Sequence, residues 1–195
     1  MATSAPEVIV SEGSFAKLEK GENRFRILSD IVSGFEYWKI LPDGKKAPVR
    51  SKSPVDMDFS DIPPNEKVRN FWIFAVWKDE RVQVLEITQK SIQKAISSFI
   101  SDEDYGDTLN YDIVINRTGD GLDTEYTITP KPPRELSDEA TTSWAETLEE
   151  GFDLDSIFTS GNPFKPEKEN PLEKIVKEPI EDDVDIDDLF DEKKK

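Results

Sequence analysis

The chain has no cysteine and no histidine. The first absence excludes disulfides, and the two together exclude Cys/His zinc sites. Serine–histidine and cysteine–histidine nucleophilic chemistry is excluded with them. No apolar run approaches the ~20 residues of a membrane span. Met1 to Gly13 carries no Lys or Arg and only Val8-Ile9-Val10 as an apolar run, so no secretory leader is predicted and the chain is expected to be cytosolic and soluble. No glycine-rich phosphate loop of the P-loop type is present. Asp183-x-Asp185-x-Asp187 begins like a calcium loop, but Asp188 stands where that loop needs Gly and Lys194 where it needs Glu. No carboxylate pair lies in an apolar setting that would shift its pKa. No metal, cofactor or catalytic residue is therefore expected.

What is present is acid, unevenly placed. The 195 residues carry a net charge of −17. Residues 1–135 hold 18 Lys and Arg against 23 Asp and Glu, a net of −5. Residues 136–195 hold 7 against 19, a net of −12. Blocks of like charge repel themselves out of a packed core and serve as interaction tails. The whole molecule would repel a polyanion, so any nucleic-acid site has to be a local patch.

The body reads as strands. Arg24 to Val32 alternates, with Phe25, Ile27 and Ile31 on one face. Ser33-Gly34 is the expected turn, and Phe35 to Leu41 the second strand. Pro42 to Glu66 holds five prolines and little periodicity, and reads as an inserted long hairpin or subdomain. Lys67 to Trp77 is the strongest strand, followed by the polar turn Lys78-Asp79-Glu80-Arg81 and a return strand from Val82 to Thr88. Ile92, Ala95, Ile96, Phe99 and Ile100 then fall at helical spacing, with Thr88 as the expected N-cap. Thr108 to Asn116 and Leu122 to Thr129 form a last hairpin. The expectation is mainly β: an OB-fold-like small β-barrel with one helix between strand pairs. SH3-like and other small barrels fit the same order. The predicted units are a lead-in over 1–14, a barrel over 15–135 with 42–66 inserted, a helical or linker segment over 136–160, and a disordered acidic tail over 161–195. Asp138 to Glu150 has Ala140, Trp144 and Leu148 on one helical side, with Gly151 ending it.

Single strands are held by stacking bases on aromatic rings, at ~1–3 kcal/mol per base, along a cationic groove. The candidate residues here are Arg24, Arg26, Tyr37, Lys39, Lys45, Lys46, Arg50, Lys52, Lys67, Arg69 and Trp72. Tyr37 is the first choice for a base contact, and Trp38, on the face of Ile40, is assigned to the core. The stretch from Lys39 to Lys52 has five cations against Asp43 alone. In the tail, Asp185, Asp187, Asp188, Leu189 and Phe190 combine acid with apolar anchors, which suits a basic, apolar-lined pocket on a partner or the chain's own groove. Phe152-Asp-Leu-Asp-Ser-Ile-Phe158 and Val184-Asp-Ile-Asp-Asp-Leu-Phe190 echo each other at a spacing of 32 residues, as two short peptide ligands would.

Lys17-Leu-Glu-Lys-Gly-Glu-Asn-Arg-Phe-Arg-Ile-Leu-Ser29, Gly34-Phe-Glu-Tyr-Trp38 and Asn70-Phe-Trp-Ile-Phe-Ala-Val-Trp77 resemble the strands of single-stranded DNA-binding proteins of tailed bacteriophages, the T-even helix-destabilising proteins among them. The resemblance spans about Ser14 to Ser101 and extends to the acidic C-terminus. It implies an OB-fold that coats single-stranded DNA in replication, recombination and repair. It also implies an acidic tail that recruits replication or recombination enzymes and covers the DNA groove, with Arg24, Arg26, Tyr37, Lys39, Arg69 and Trp72 lining that groove. Two departures matter: Pro42 to Glu66 has no zinc ligands of the T-even kind, and residues 1–16 have no basic arm. The alternative left open is an acidic adaptor or DNA mimic that binds a nucleic-acid enzyme rather than DNA.

Overall fold

A computed structural model describes residues 13–159 and 161–166. The tail residues named above, Asp185 to Phe190, lie outside the described residues. The strands are β1 (Gly21–Ile27), β2 (Val32–Ile40), β3 (Lys46–Ser51), β4 (Arg69–Lys78), β5 (Arg81–Ile87), β6 (Asp112–Thr118) and β7 (Glu125–Pro130). Helix α1 (Lys90–Ile100) lies between β5 and β6, and α2 (Asp138–Glu149) follows β7. The molecule is mainly β, with one helix between strand pairs, as the sequence order predicts.

The sheet is antiparallel and runs β3-β2-β4-β1-β6-β7, with β5 on the other edge of β4. β4 is long enough to serve two neighbours on one edge. Val32 to Glu36 of β2 pair with Ile73 to Arg69, and Arg26 and Ile27 of β1 pair with Trp77 and Val76. Between them the chain stays attached: Leu28 N donates to Ala75 O at 2.9 Å, and Ala75 N donates to Ser29 Oγ at 2.9 Å. β1 and β2 are thus one strand broken by a bulge. Ser33-Gly34 is not the expected turn, because β4 offers ladder partners to both residues. Among the described residues no ladder joins β5 to β7, so no strand pairing closes the sheet on itself. The free edge of β5 is covered instead by the lead-in: Val84 N donates to Ser14 O and Ala16 N to Val84 O, both at 2.8 Å. Covering that edge removes a template for unwanted pairing.

The core explains the run Phe71 to Trp77. Phe74, Val76, Leu85 and Ile87 point inward with Phe25, Ile27, Tyr111, Ile113 and Ile115, against Ile92 and Ile96 of α1. Full burial of such a side chain stabilises by ~1.5–3 kcal/mol. The odd residues Phe71 and Ile73 face outward, and they too are buried, with Val84, under Leu154 and Ile157. Strand β4 is therefore apolar on both faces because both are covered. The cover is the 3-10 turn Leu154–Phe158, capped at Asp153, whose side chain accepts from Asp155 N. The first of the two echoing peptides is thus seated on its own body. Gly34 makes room for it: a Cβ there would lie 2.6 Å from Phe158 Cε1 and 2.9 Å from Phe71 Cε1.

One smaller expectation needs correction. α1 begins at Lys90 with Gln89, not Thr88, at the N-cap and without a side-chain cap bond. The Pro42 to Glu66 excursion, read as a long hairpin or subdomain, supplies β3, which pairs back on β2 and tolerates Pro48 because it lies on the sheet edge. α2 matches its expected span, with Ser137 Oγ accepting from Ala140 N at 3.2 Å and Gly151 at φ 91° just past its end.

Candidate nucleic-acid interface

Strand pairing sorts the hairpin β2–β3 into two faces. Glu36, Trp38 and Ile40 stand opposite Arg50, Pro48 and Lys46 on one side. Phe35, Tyr37 and Lys39 stand opposite Ser51, Val49 and Ala47 on the other. On the second side Tyr37 meets Asp58, in the short segment between the 3-10 turns Pro54–Asp56 and Phe59–Asp61 where Met57 is buried. Tyr37 is 2% exposed and its hydroxyl lies 3.5 Å from Asp58 O. The first choice for a base contact is thus a core residue. Trp38, assigned to the core, is half-buried, and its neighbour Ile40 is 63% exposed. Periodicity placed the two residues on opposite faces correctly; it could not tell which face a distant loop would cover.

The remaining candidates separate into groups. Lys46 and Lys67 are exposed and Lys39 half-buried, and none has an ion pair among the described residues. Lys45 lies 3.5 Å from Asp43, and Arg69 donates to Glu66 at 2.8 Å. Arg50 is largely withdrawn from solvent: its Nε donates to Glu36 at 3.2 Å, its Nη2 to Glu86, and its guanidinium lies 5.5 Å above the Phe71 ring. Burial pushes the Glu86 carboxyl upward, and the nearby Glu36 adds to this against the pull of Arg50. Lys52 Nζ is 3.0 Å from Asp155 and 5.5 Å from the Phe158 ring centre. Trp72 is half-buried and packs against the main core, on the opposite face of β4 from Phe71 and Ile73.

Arg24 and Arg26 are elsewhere. Both donate through Nε to Asp112, at 2.7 and 2.8 Å, and Arg134 Nη2 donates to the same carboxylate at 2.6 Å. The Arg26 side chain is 3% exposed, so it too is corrected from surface to interior. Arg24 remains 45% exposed. Burial works to raise the Asp112 pKa, but the Arg24 hydrogen bond and the charges of Arg26, Arg134 and Arg24 outweigh it and hold the carboxyl below its usual range. Arg26 pairs with Trp77, eight residues along β4 from Arg69, on the order of 26 Å at ~3.3 Å per residue. The candidates therefore form two sites rather than one groove. Arg134 was missed because it directly follows the Pro130 to Pro133 segment that leaves the sheet, where no periodicity marks a direction.

The outer side of the β2–β3 hairpin is the arrangement with the needed chemistry. Trp38 and Ile40 offer apolar surface, Lys46 flanks them, and Lys52, Lys67 and Arg69 border the sheet there. No group of three acids among the described residues is placed to hold a metal ion. No described helix is long and apolar enough to cross a membrane.

A probable ssDNA-binding protein of Escherichia phage T5 is 28% identical to this chain over 139 residues, covering 58% of this chain and 53% of that protein. The chain thus spans about half the length of that relative. No family model matches the chain, and no solved structure matches it.

Proposed function

We propose that this chain is a non-enzymatic, sequence-tolerant single-stranded DNA-binding protein with an OB-fold. The likeness to the phage T5 protein, a probable ssDNA-binding protein by its name, carries the reading. The outer side of the β2–β3 hairpin provides a place for the strand. Lys46, Lys52, Lys67 and Arg69 neutralise phosphates and release their counterions. Trp38 stacks a base, at ~1–3 kcal/mol. Nothing in such a contact reads base edges, so the binding tolerates any sequence. The acidic tail, with Asp185, Asp187, Asp188, Leu189 and Phe190, competes for the cations until DNA displaces it. It then becomes available to enzymes of replication, recombination and repair in the host cytoplasm.

Fluorescence anisotropy of labelled oligo-dT, oligo-U and duplex DNA tests this at two salt concentrations, with the full chain and a chain ending at Val176. Binding to oligo-dT in preference to duplex, weaker at high salt, is expected. The shortened chain is expected to bind more tightly at low salt, with the difference fading as salt screens the tail. Equal affinities at low salt would sink tail competition alone. A folded chain that ignores oligo-dT would overturn the whole reading in favour of an acidic adaptor. Preference for oligo-U would assign the site to RNA.

A further inference from the structure

Around Asp112 the ion pairing does not balance. One carboxylate, 4% exposed, meets three guanidinium groups. The local excess is two positive charges, in a chain whose net charge is −17. The arginines are also incompletely used. Arg24 gives only Nε and Arg134 only Nη2 to the carboxylate. Arg26 gives Nε to Asp112 and Nη1 to Leu109 O and Arg134 O, at 3.2 and 3.1 Å, while its buried Nη2 has no partner among the described residues. A buried charged donor without an acceptor is costly, and an anion in reach of it would relieve that cost.

These residues line a recess of about 280 Å³ between β1, the β4–β5 turn and the chain entering α2. Lys78 adds a fourth cation to its wall, and Asp79 and Glu135 add two further acids. Lys78 and Asp79 pair with each other at 2.5 Å. The wall also contains Ser137, the N-cap of α2, whose side chain already accepts from Ala140 N and whose helix carries Asp138 and Glu139 in its first turn, so the anion donors of the recess are the arginines rather than the helix end. Half-buried Trp77 completes it. The free edges of Arg24 and Arg134 are fork-shaped donors held in place by Asp112, the geometry that suits a phosphate better than a point charge does.

We propose that this recess binds one phosphodiester of a single strand, with Arg24 and Arg134 as the donors, Arg26 as a fixed charge behind them and Trp77 beside the adjoining base. It is a second anchor at the other end of β4 from the hairpin site, and it rests on the single-strand reading. Asp112 acts here as a positioning residue that holds the forks.

The test is oligo-dT anisotropy across a salt series with the full chain and its Arg24→Ala/Arg134→Ala variant. The variant is expected to bind about tenfold more weakly. Its plot of log affinity against log salt is expected to be shallower by about 0.7, the loss of one phosphate contact. Arg134→Lys keeps the charge but not the fork, and is expected to lose affinity with the slope retained. Parental affinity and slope in the folded double variant would overturn the recess and leave the single-strand reading standing. If the double variant does not fold, Arg134→Lys decides, and unchanged affinity overturns the proposal. If the parent itself ignores oligo-dT, the single-strand reading fails and inorganic phosphate decides the recess. A melting point raised over chloride at equal ionic strength, and no longer raised in Arg134→Ala, supports an anion site; no rise overturns it.

Discussion

Replacing Gly34 by alanine tests whether the Leu154–Phe158 turn is held on the sheet as described. The new methyl carbon would lie 2.6 Å from Phe158 Cε1, 2.9 Å from its Cζ and 2.9 Å from Phe71 Cε1. Ordinary carbon–carbon contact needs about 3.5–4.0 Å, so the Phe158 ring has to retreat by roughly 1 Å. It cannot slide freely, because Phe71 lies 5.9 Å away on one side and Lys52 and Asp155 bind the turn on the other. Gly34 does not have a positive φ, so backbone strain does not enter and the cost is one of overpacking. Overpacking of this size costs ~1–3 kcal/mol. Urea unfolding of the full chain is expected to show that loss, and limited proteolysis is expected to cut sooner between Gly151 and Pro166. Phe158→Ala removes the nearer clash at the price of its own packing. The double variant should therefore be less destabilised than the two single losses predict, by ~1 kcal/mol or more. Some penalty persists in it, because the clash with Phe71 remains. Gly34→Ala with parental stability, or strict additivity in the double variant, would refute the seating of Phe158 on Gly34.

Two further outcomes follow from the same geometry. Asp112→Asn leaves three arginines without their carboxylate and is expected to destabilise the chain at pH 7 by ~3–5 kcal/mol, as removal of one partner of a buried pair does. The folded Asp112 carboxyl has a lowered pKa, so its contribution is present above the ordinary carboxylate value near ~4 and is lost as pH falls through the lower folded value; urea midpoints of parent and variant should converge in that acid window, and a constant gap would refute the assignment. Trp38→Ala is expected to weaken oligo-dT binding by ~1–3 kcal/mol with little loss of stability, whereas Tyr37→Phe should leave binding unchanged; the reverse pattern in anisotropy and melting would return Tyr37 to the interface.

Much of the scaffold is legible in local sequence because its signals are local. The alternation of Phe25 and Ile27, the run from Asn70 to Trp77, the helical spacing of Ile92, Ile96 and Phe99, and the Ala140–Trp144 side of α2 each mark an element within a dozen residues. A strand's period of two also separates Tyr37 from Trp38 without any structure. What alternation leaves open is which side is covered, since both sides of β2 carry an aromatic ring. That was decided by Asp58 reaching Tyr37 from 21 residues away. The same holds for Arg26, whose partner Asp112 is 86 residues distant, and for Gly34, which reads as a turn until Phe158 is seen lying against it. Composition and periodicity determined the strands, the helices and the division of charge between body and tail. Only tertiary structure decided which aromatic ring and which cations meet solvent, because burial and ion pairing are set by segments that meet in space after long separations along the chain.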